Sequence, residues 1–129
     1  MPFIGWDDSL SVGVAEIDQE HKEEIELLNR LHDAEGEDIP KTFQELAEHT
    51  VKHFQTEERY FDKFNYEDST AHKATHKQFL KQAEQVGKDI EAGKEISEDT
   101  LNLIKTWLVN HIKSMDKKYT KCFNENGLT

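Results

Sequence analysis

Cysteine is nearly missing from this chain of 129 residues: Cys122 stands alone, so no disulfide staples the fold. With no histidine or second cysteine at ligand spacing from it, it forms no zinc corner and reads as a free thiol. Arginine is almost as scarce, only Arg30 and Arg59, and 16 Lys+Arg against 27 Asp+Glu give a formal net charge of -11. A field of that sign repels phosphate backbones and anionic membrane surfaces, which argues against nucleic acid as a partner. Nowhere do about eighteen apolar residues run together, and the opening "MPFIGWDD" lacks the basic segment and apolar core of a secretory leader. The expectation is a cytoplasmic protein without membrane insertion.

Two prolines, Pro2 and Pro40, lie outside the periodic stretches, and no alternating β-branched run of strand length stands out. What is present is apolar spacing of three and four, which predicts an all-α chain forming one domain over residues 1–129. Four helices are expected, over about 18–34, 40–65, 69–92 and 97–118, after an irregular N-terminal arm over 1–17. Ile25, Leu28 and Leu31 or His32 mark the inward stripe of the first helix. Phe43, Leu46, Thr50, His53, Glu57 and Phe61 or Phe64 mark the second. The third reads His72, His76, Phe79, Ala83, Val86 and Ile90, with Asp68 or Ser69 as its cap. The fourth reads Leu101, Ile104, Leu108, His111, Ile112 and Met115, capped by Ser97 and fraying beyond about Lys118. Short connections make neighbours antiparallel, giving an up-down-up-down four-helix bundle, with Trp6 and Ile17 pinning the arm to it.

Residues four apart on a helix lie about 40° apart around the axis, so His53 with Glu57, and His72 with His76, each project from one face. Each pair sits on an inward stripe, where clustered imidazoles and an unpaired carboxylate would be desolvated at a cost of several kcal/mol. Something cationic must offset that. Singly these pairs are weak signals, but His21 on the first helix and His111 and Asp116 on the fourth mean that every helix supplies donors. The set contains no thiolate, which argues against structural zinc, and it exceeds what one tetrahedral ion uses. For two octahedral irons, the imidazoles, two bridging carboxylates and a bridging hydroxide or oxide fill all but one position, leaving room for a small ligand such as dioxygen. Neutral imidazoles favour stopping at bound peroxide, and so reversible oxygen binding, over the higher oxidation states that carboxylate-rich di-iron sites support.

The stretches "WDDS" (Trp6 to Ser9), "IDQEH" (ending at His21), "HFQTEE" (from His53), "HKATH" (His72 to His76) and "WLVNHIKSMDKKY" (Trp107 to Tyr119) resemble, in order and spacing, the signatures of the hemerythrin family, in detail its bacterial stand-alone members. The resemblance implies two non-haem iron ions, one on His72, His76 and His111, the other on His21 and His53, bridged by Glu57, Asp116 and an oxo or hydroxo group. Oxygen would bind at the two-histidine iron and become a hydroperoxide. Apolar side chains surround the open position in that family, which assigns Leu108, Phe54, Trp107 and Ile112 to the oxygen pocket. Tyr119 either hydrogen-bonds a bridging carboxylate or covers the bundle end. His32 and His49, near the inward stripes, either cap the core or face solvent, or else support the metal ligands from behind.

One spacing conflicts with a straight helix. Asp116 lies five residues after His111, about 140° around an ideal helix, which predicts a π-type turn or an unwinding between them.

The first functional reading is an oxygen-binding protein for storage, transport or delivery and not an enzyme, expected as a monomer with an oxygen-consuming enzyme as recipient. It rests partly on the expectation that the chain ends with the domain and carries no signalling segment. An oxygen or redox sensor is the second class, and a di-iron enzyme acting on peroxide or nitric oxide the third. The dipeptide at His32 and Asp33 also resembles the phosphohydrolases named for it, but an acidic chain offers no basic phosphate cleft.

Overall fold

The computed structural model describes residues 2–129. It consists of α1 (Ala15–Asp33), α2 (Asp38–Phe64), α3 (Ser69–Glu91), α4 (Glu98–Ser114) and a short α5 (Thr120–Glu125), with 3-10 segments at Asp8–Leu10 and Asp116–Tyr119. No strand occurs among the described residues, and α1 to α4 form an up-down-up-down four-helix bundle. No helix is long and apolar enough to cross a membrane.

Local chemistry sets the helix ends and shifts some from their expected positions. The first helix begins at Ala15 and not near 18, because the Val14 carbonyl already accepts from the Asp18 N–H at 2.9 Å. Asp18 does not cap that helix. Its carboxylate turns back to the arm and accepts from the Val12 N–H (2.8 Å) and the Ser11 hydroxyl (2.6 Å). Pro40 falls in the first turn of α2, where no N–H is needed, so the helix runs back to Asp38. Asn65 ends α2 in the left-handed conformation (φ 51°), and its N–H and that of Tyr66 both return to the Phe61 carbonyl. Asp68 occupies the cap position of α3 without a side-chain bond, whereas the Ser97 hydroxyl of α4 accepts from the Thr100 N–H at 3.1 Å.

The stripes bury Ile25, Leu28 and Leu31 of α1 against Phe43, Leu46 and Phe61 of α2, and Leu101, Leu108 and Ile112 of α4 complete the core. The second half of α3 is less covered: Phe79, Ala83 and Val86 are only half-buried. Although irregular, the arm is fixed. The Asn29 carboxamide pairs with both the N–H and the carbonyl of Ile4 at 2.8 Å each, Lys105 donates to the Phe3 carbonyl, and Ile4, Leu10, Val12 and Val14 are buried. Ile17 is fully buried and Trp6 partly so.

The segment beyond Lys118 does not fray as expected. It winds into α5, whose Phe123 is fully buried and stacked on Tyr119 at 4.3 Å. Burying one phenylalanine is worth about 1.5–3 kcal/mol, enough to hold a six-residue helix that would not form alone. Thr120 and Asn124 donate to the Val12 and Gly13 carbonyls, so the arm and the C-terminal segment close the same end of the bundle.

Candidate metal centre

All four long helices deliver polar side chains to one point in the core. His21 comes from α1, His53 and Glu57 from successive turns of α2, His72 and His76 from successive turns of α3, and His111 from the last turn of α4. Asp116 arrives by a break in the backbone. The Met115 N–H still bonds the His111 carbonyl at 2.8 Å, then the chain tightens, and the next such bond runs from the Lys118 N–H to the Met115 carbonyl at 3.2 Å. The expected unwinding is present, in 3-10 and not π form, and it turns the Asp116 carboxylate back toward His111. Of the seven side chains, none exceeds 6% exposure.

The donor atoms converge closely. Asp116 Oδ1 lies 3.0 Å from His72 Nε2 and 3.1 Å from His111 Nε2, and Asp116 Oδ2 lies 3.1 Å from His21 Nε2. Glu57 Oε1 lies 3.2 Å from His76 Nε2 and 3.5 Å from His53 Nε2. The atoms fall into two overlapping groups, Glu57, His72, His76, His111 and Asp116 in one and His21, His53, Glu57 and Asp116 in the other, each within 4.8 Å of one another. Both carboxylates are shared.

Hydrogen bonding within the protein does not satisfy this cluster. His21 Nδ1 and Nε2, His72 Nδ1, His76 Nε2, Glu57 Oε1 and both Asp116 oxygens are buried without a partner of acceptable geometry. Each such atom costs about 1–3 kcal/mol, so the set rivals the whole stability of a domain, about 5–15 kcal/mol. Protonating every imidazole would answer the carboxylates only by crowding positive charges in the core. Divalent cations use the nitrogen lone pairs and the carboxylates together, and the donor set fits them.

Charge is already balanced toward that use. Burial would raise the Asp116 carboxyl, but His111, His21 and His72 around it outweigh burial and hold it well below the usual carboxylate range. Burial disfavours a charged His53, yet Glu57, Glu20, Glu24 and Asp116 push its imidazole up to about 10. A metal entering there therefore displaces a proton. The Tyr119 phenol, raised by burial and then by Glu57 and Asp116, stays protonated and donates to Glu57 Oε2 at 2.5 Å.

The surroundings fix the imidazoles. Glu20 takes His53 Nδ1 at 2.7 Å and is itself held by the Thr56 hydroxyl, and Glu58 takes His76 Nδ1 at 2.9 Å. With Nδ1–H donated outward, each Nε2 faces the centre, where a metal would take its lone pair. Sequence reading assigned no role to Glu20 or Glu58, although each adjoins a named donor, His21 and Glu57. Phe54 stacks on His76 at 3.7 Å, Trp107 on His111 at 4.4 Å, and Phe79, not anticipated here, stacks on Trp107 at 4.0 Å. Leu108 and Trp107 line a cavity that reaches His111, whereas Ile112 packs in the core away from that wall.

The two extra histidines stand apart from the centre. His32 stacks on Phe3 and bridges Asp33 and Glu98 near the surface. His49 holds the buried Glu24 carboxylate at 3.3 Å.

Residues 12–122 match the hemerythrin HHE cation binding domain. The chain belongs to the hemerythrin family. It is 33% identical over 123 residues to a bacteriohemerythrin of Pseudomonas aeruginosa, covering 92% of this chain and 80% of that relative. Identity to a hemerythrin-like protein of Naegleria gruberi is 40% over 118 residues, with 92% and 91% covered. The crystal structure of wild-type hemerythrin superposes with a TM-score of 0.88 at 34% identity, covering 93% of this chain and 97% of that one. The family has a cation-binding domain, and in this chain its core holds the histidine and carboxylate cluster just described.

Proposed function

We propose that this hemerythrin-family chain binds dioxygen reversibly at two non-haem iron ions, for oxygen storage, transport or delivery to an oxygen-consuming enzyme, as a cytoplasmic monomer. His72, His76 and His111 would hold one ion and His21 and His53 the other, with Glu57 and Asp116 shared between them. When bound, the pair of ions supplies the electrons and the Lewis-acid position that take up oxygen.

The observation that carries this reading is the overlap of the two donor groups through two carboxylates, with one imidazole fewer in the group of His21 and His53. The poorer group has room for an exogenous ligand. The remaining residues hold and shield. Glu20 and Glu58 fix imidazole orientation, and Tyr119, keeping its phenol proton, fixes Glu57 by donating a hydrogen bond to it. Phe54, Trp107 and Leu108 set apolar surface beside His76 and His111, which would keep water from the centre.

The test is the visible spectrum of the anaerobically reduced, iron-loaded protein before oxygen, after oxygen and after oxygen is removed. Colour that appears and then clears on removal alone supports a carrier. Colour that only a reductant clears would overturn reversibility and favour a redox sensor or a di-iron enzyme, which sustained turnover with peroxide or nitric oxide would identify.

A further inference from the structure

Trp107, Leu108 and His111 form part of the wall of a cavity of about 680 Å³. Phe43 and Leu46 of α2, Val86 of α3 and Ile104 of α4 also line it, as does Leu103, whose side chain is largely exposed. That volume is out of proportion to a diatomic gas: a water molecule takes about 30 Å³. Pockets for organic molecules span about 300–1,000 Å³, are mostly apolar, and carry a few placed polar groups.

Glu24 is such a group. It is the only carboxylate in the cavity wall and, His111 apart, the only ionisable side chain there. It is buried, three residues after His21 on α1, and its oxygens accept from the Thr50 hydroxyl (2.5 Å) and from His49 (3.3 Å). These partners hold the carboxylate in place and use about half of its four or so acceptor positions. His49 and Thr50 offset much of the cost of burying this charge, yet a leucine in the same place would need no such support. A carboxylate kept there has the character of a receptor for something entering the cavity.

We propose that this cavity binds a primary amine carrying a single apolar tail, with the ammonium at Glu24 and the tail running along Phe43, Val86 and Ile104 toward Leu103. An anionic head would meet both Glu24 and the net charge of -11, and a neutral apolar molecule would gain nothing from the lone pairs that His49 and Thr50 leave free on each Glu24 oxygen. The inference concerns the cavity alone and is independent of what the seven donors hold.

The experiment is calorimetric titration of the metal-loaded protein with octylamine, 1-octanol and octanoate, each below its aggregation concentration, with Trp107 fluorescence as a second signal. Octylamine is expected to bind saturably at one site per chain, about tenfold or more tighter than octanoate. Glu24→Gln, which keeps shape and removes charge, abolishes that preference. Ala83→Phe, which fills the cavity from α3, weakens every ligand. No saturable binding of octylamine, equal affinity for octylamine and octanoate, or a preference that survives Glu24→Gln would overturn the proposal. So would octylamine acting only by pairing two copies of the chain in gel filtration.

Discussion

The two donor groups at the centre share Glu57 and Asp116 but are built differently around them. His72, His76 and His111 are clad in aromatic rings: Phe61 lies 4.7 Å from His72, Phe54 stacks on His76, and Trp107 stacks on His111. His21 and His53 meet edge to face at 4.6 Å, and the nearby polar support is Glu20 with Thr56. Each side has one imidazole anchored by a carboxylate, His76 by Glu58 and His53 by Glu20, but the first side carries the closer aromatic cover and the second has one imidazole fewer. Under the proposed function, the richer group would hold its cation with three imidazoles and the poorer one would leave a position for a ligand.

The change expected to do most damage removes what the two sides share. Asp116→Ala takes one carboxylate from both groups and leaves three imidazoles facing an unfilled space, the kind of buried-pair loss worth about 3–5 kcal/mol. Elemental analysis should find both irons lost and thermal unfolding should show a lower Tm. Next comes a direct contrast between the sides. His21→Ala leaves a single imidazole in the poorer group and should reduce the content to about one iron per chain, whereas His72→Ala leaves two imidazoles and should retain more iron than His21→Ala. Equal losses would erase the comparison.

Behind the donors the effects are smaller. Glu20→Ala and Glu58→Ala each free one imidazole orientation, and metal affinity should fall by about 10–100-fold in competition with a chelator. Leu108→Ala opens the apolar wall without touching a donor, so iron content should hold while autoxidation, followed by loss of the oxygenated spectrum, quickens.

The mildest prediction concerns pH. Glu24, through its hydrogen bond, raises His49 against the opposing effect of partial burial, so the folded value exceeds the unfolded one of about 6.5. That contribution to stability is full below about pH 6.5 and is lost as pH rises through the raised value. For Glu24, burial pushes upward, but His49, His53 and Thr50 outweigh it and hold the carboxyl low; its contribution is lost only in acid. The stability difference between the native chain and His49→Gln, read from paired unfolding curves, should therefore shrink as pH rises above about 6.5, from no more than about 1 kcal/mol, because His49 is only half-buried and partly screened by solvent.

What was legible in the sequence is what one helix dictates by itself. Four-residue spacing alone puts His53 with Glu57 and His72 with His76 on single faces, and the five-residue step from His111 to Asp116 announces a break because an ideal helix would part them. The kind of break was not legible, since 3-10 and π turns both rotate the side chain and tertiary packing chooses. Registers between helices were also hidden. Glu20 meets His53, Glu58 meets His76 and Glu24 meets His49 across helix pairs, and no single segment encodes that alignment. The C-terminal segment was misread as fraying because its helix depends on Phe61, Phe64 and Tyr119 packing around Phe123. The looseness of the second half of α3 was invisible too, since its apolar spacing is as regular as the rest while the space beside it belongs to the assembled bundle.

The central claim is that two cations share this core through Glu57 and Asp116, and an anaerobic titration of the metal-free chain with ferrous iron, followed by gel filtration and elemental analysis, tests it most directly. Two irons retained per chain is the predicted result. A plateau at one iron, or iron that separates from the protein on the column, would contradict it.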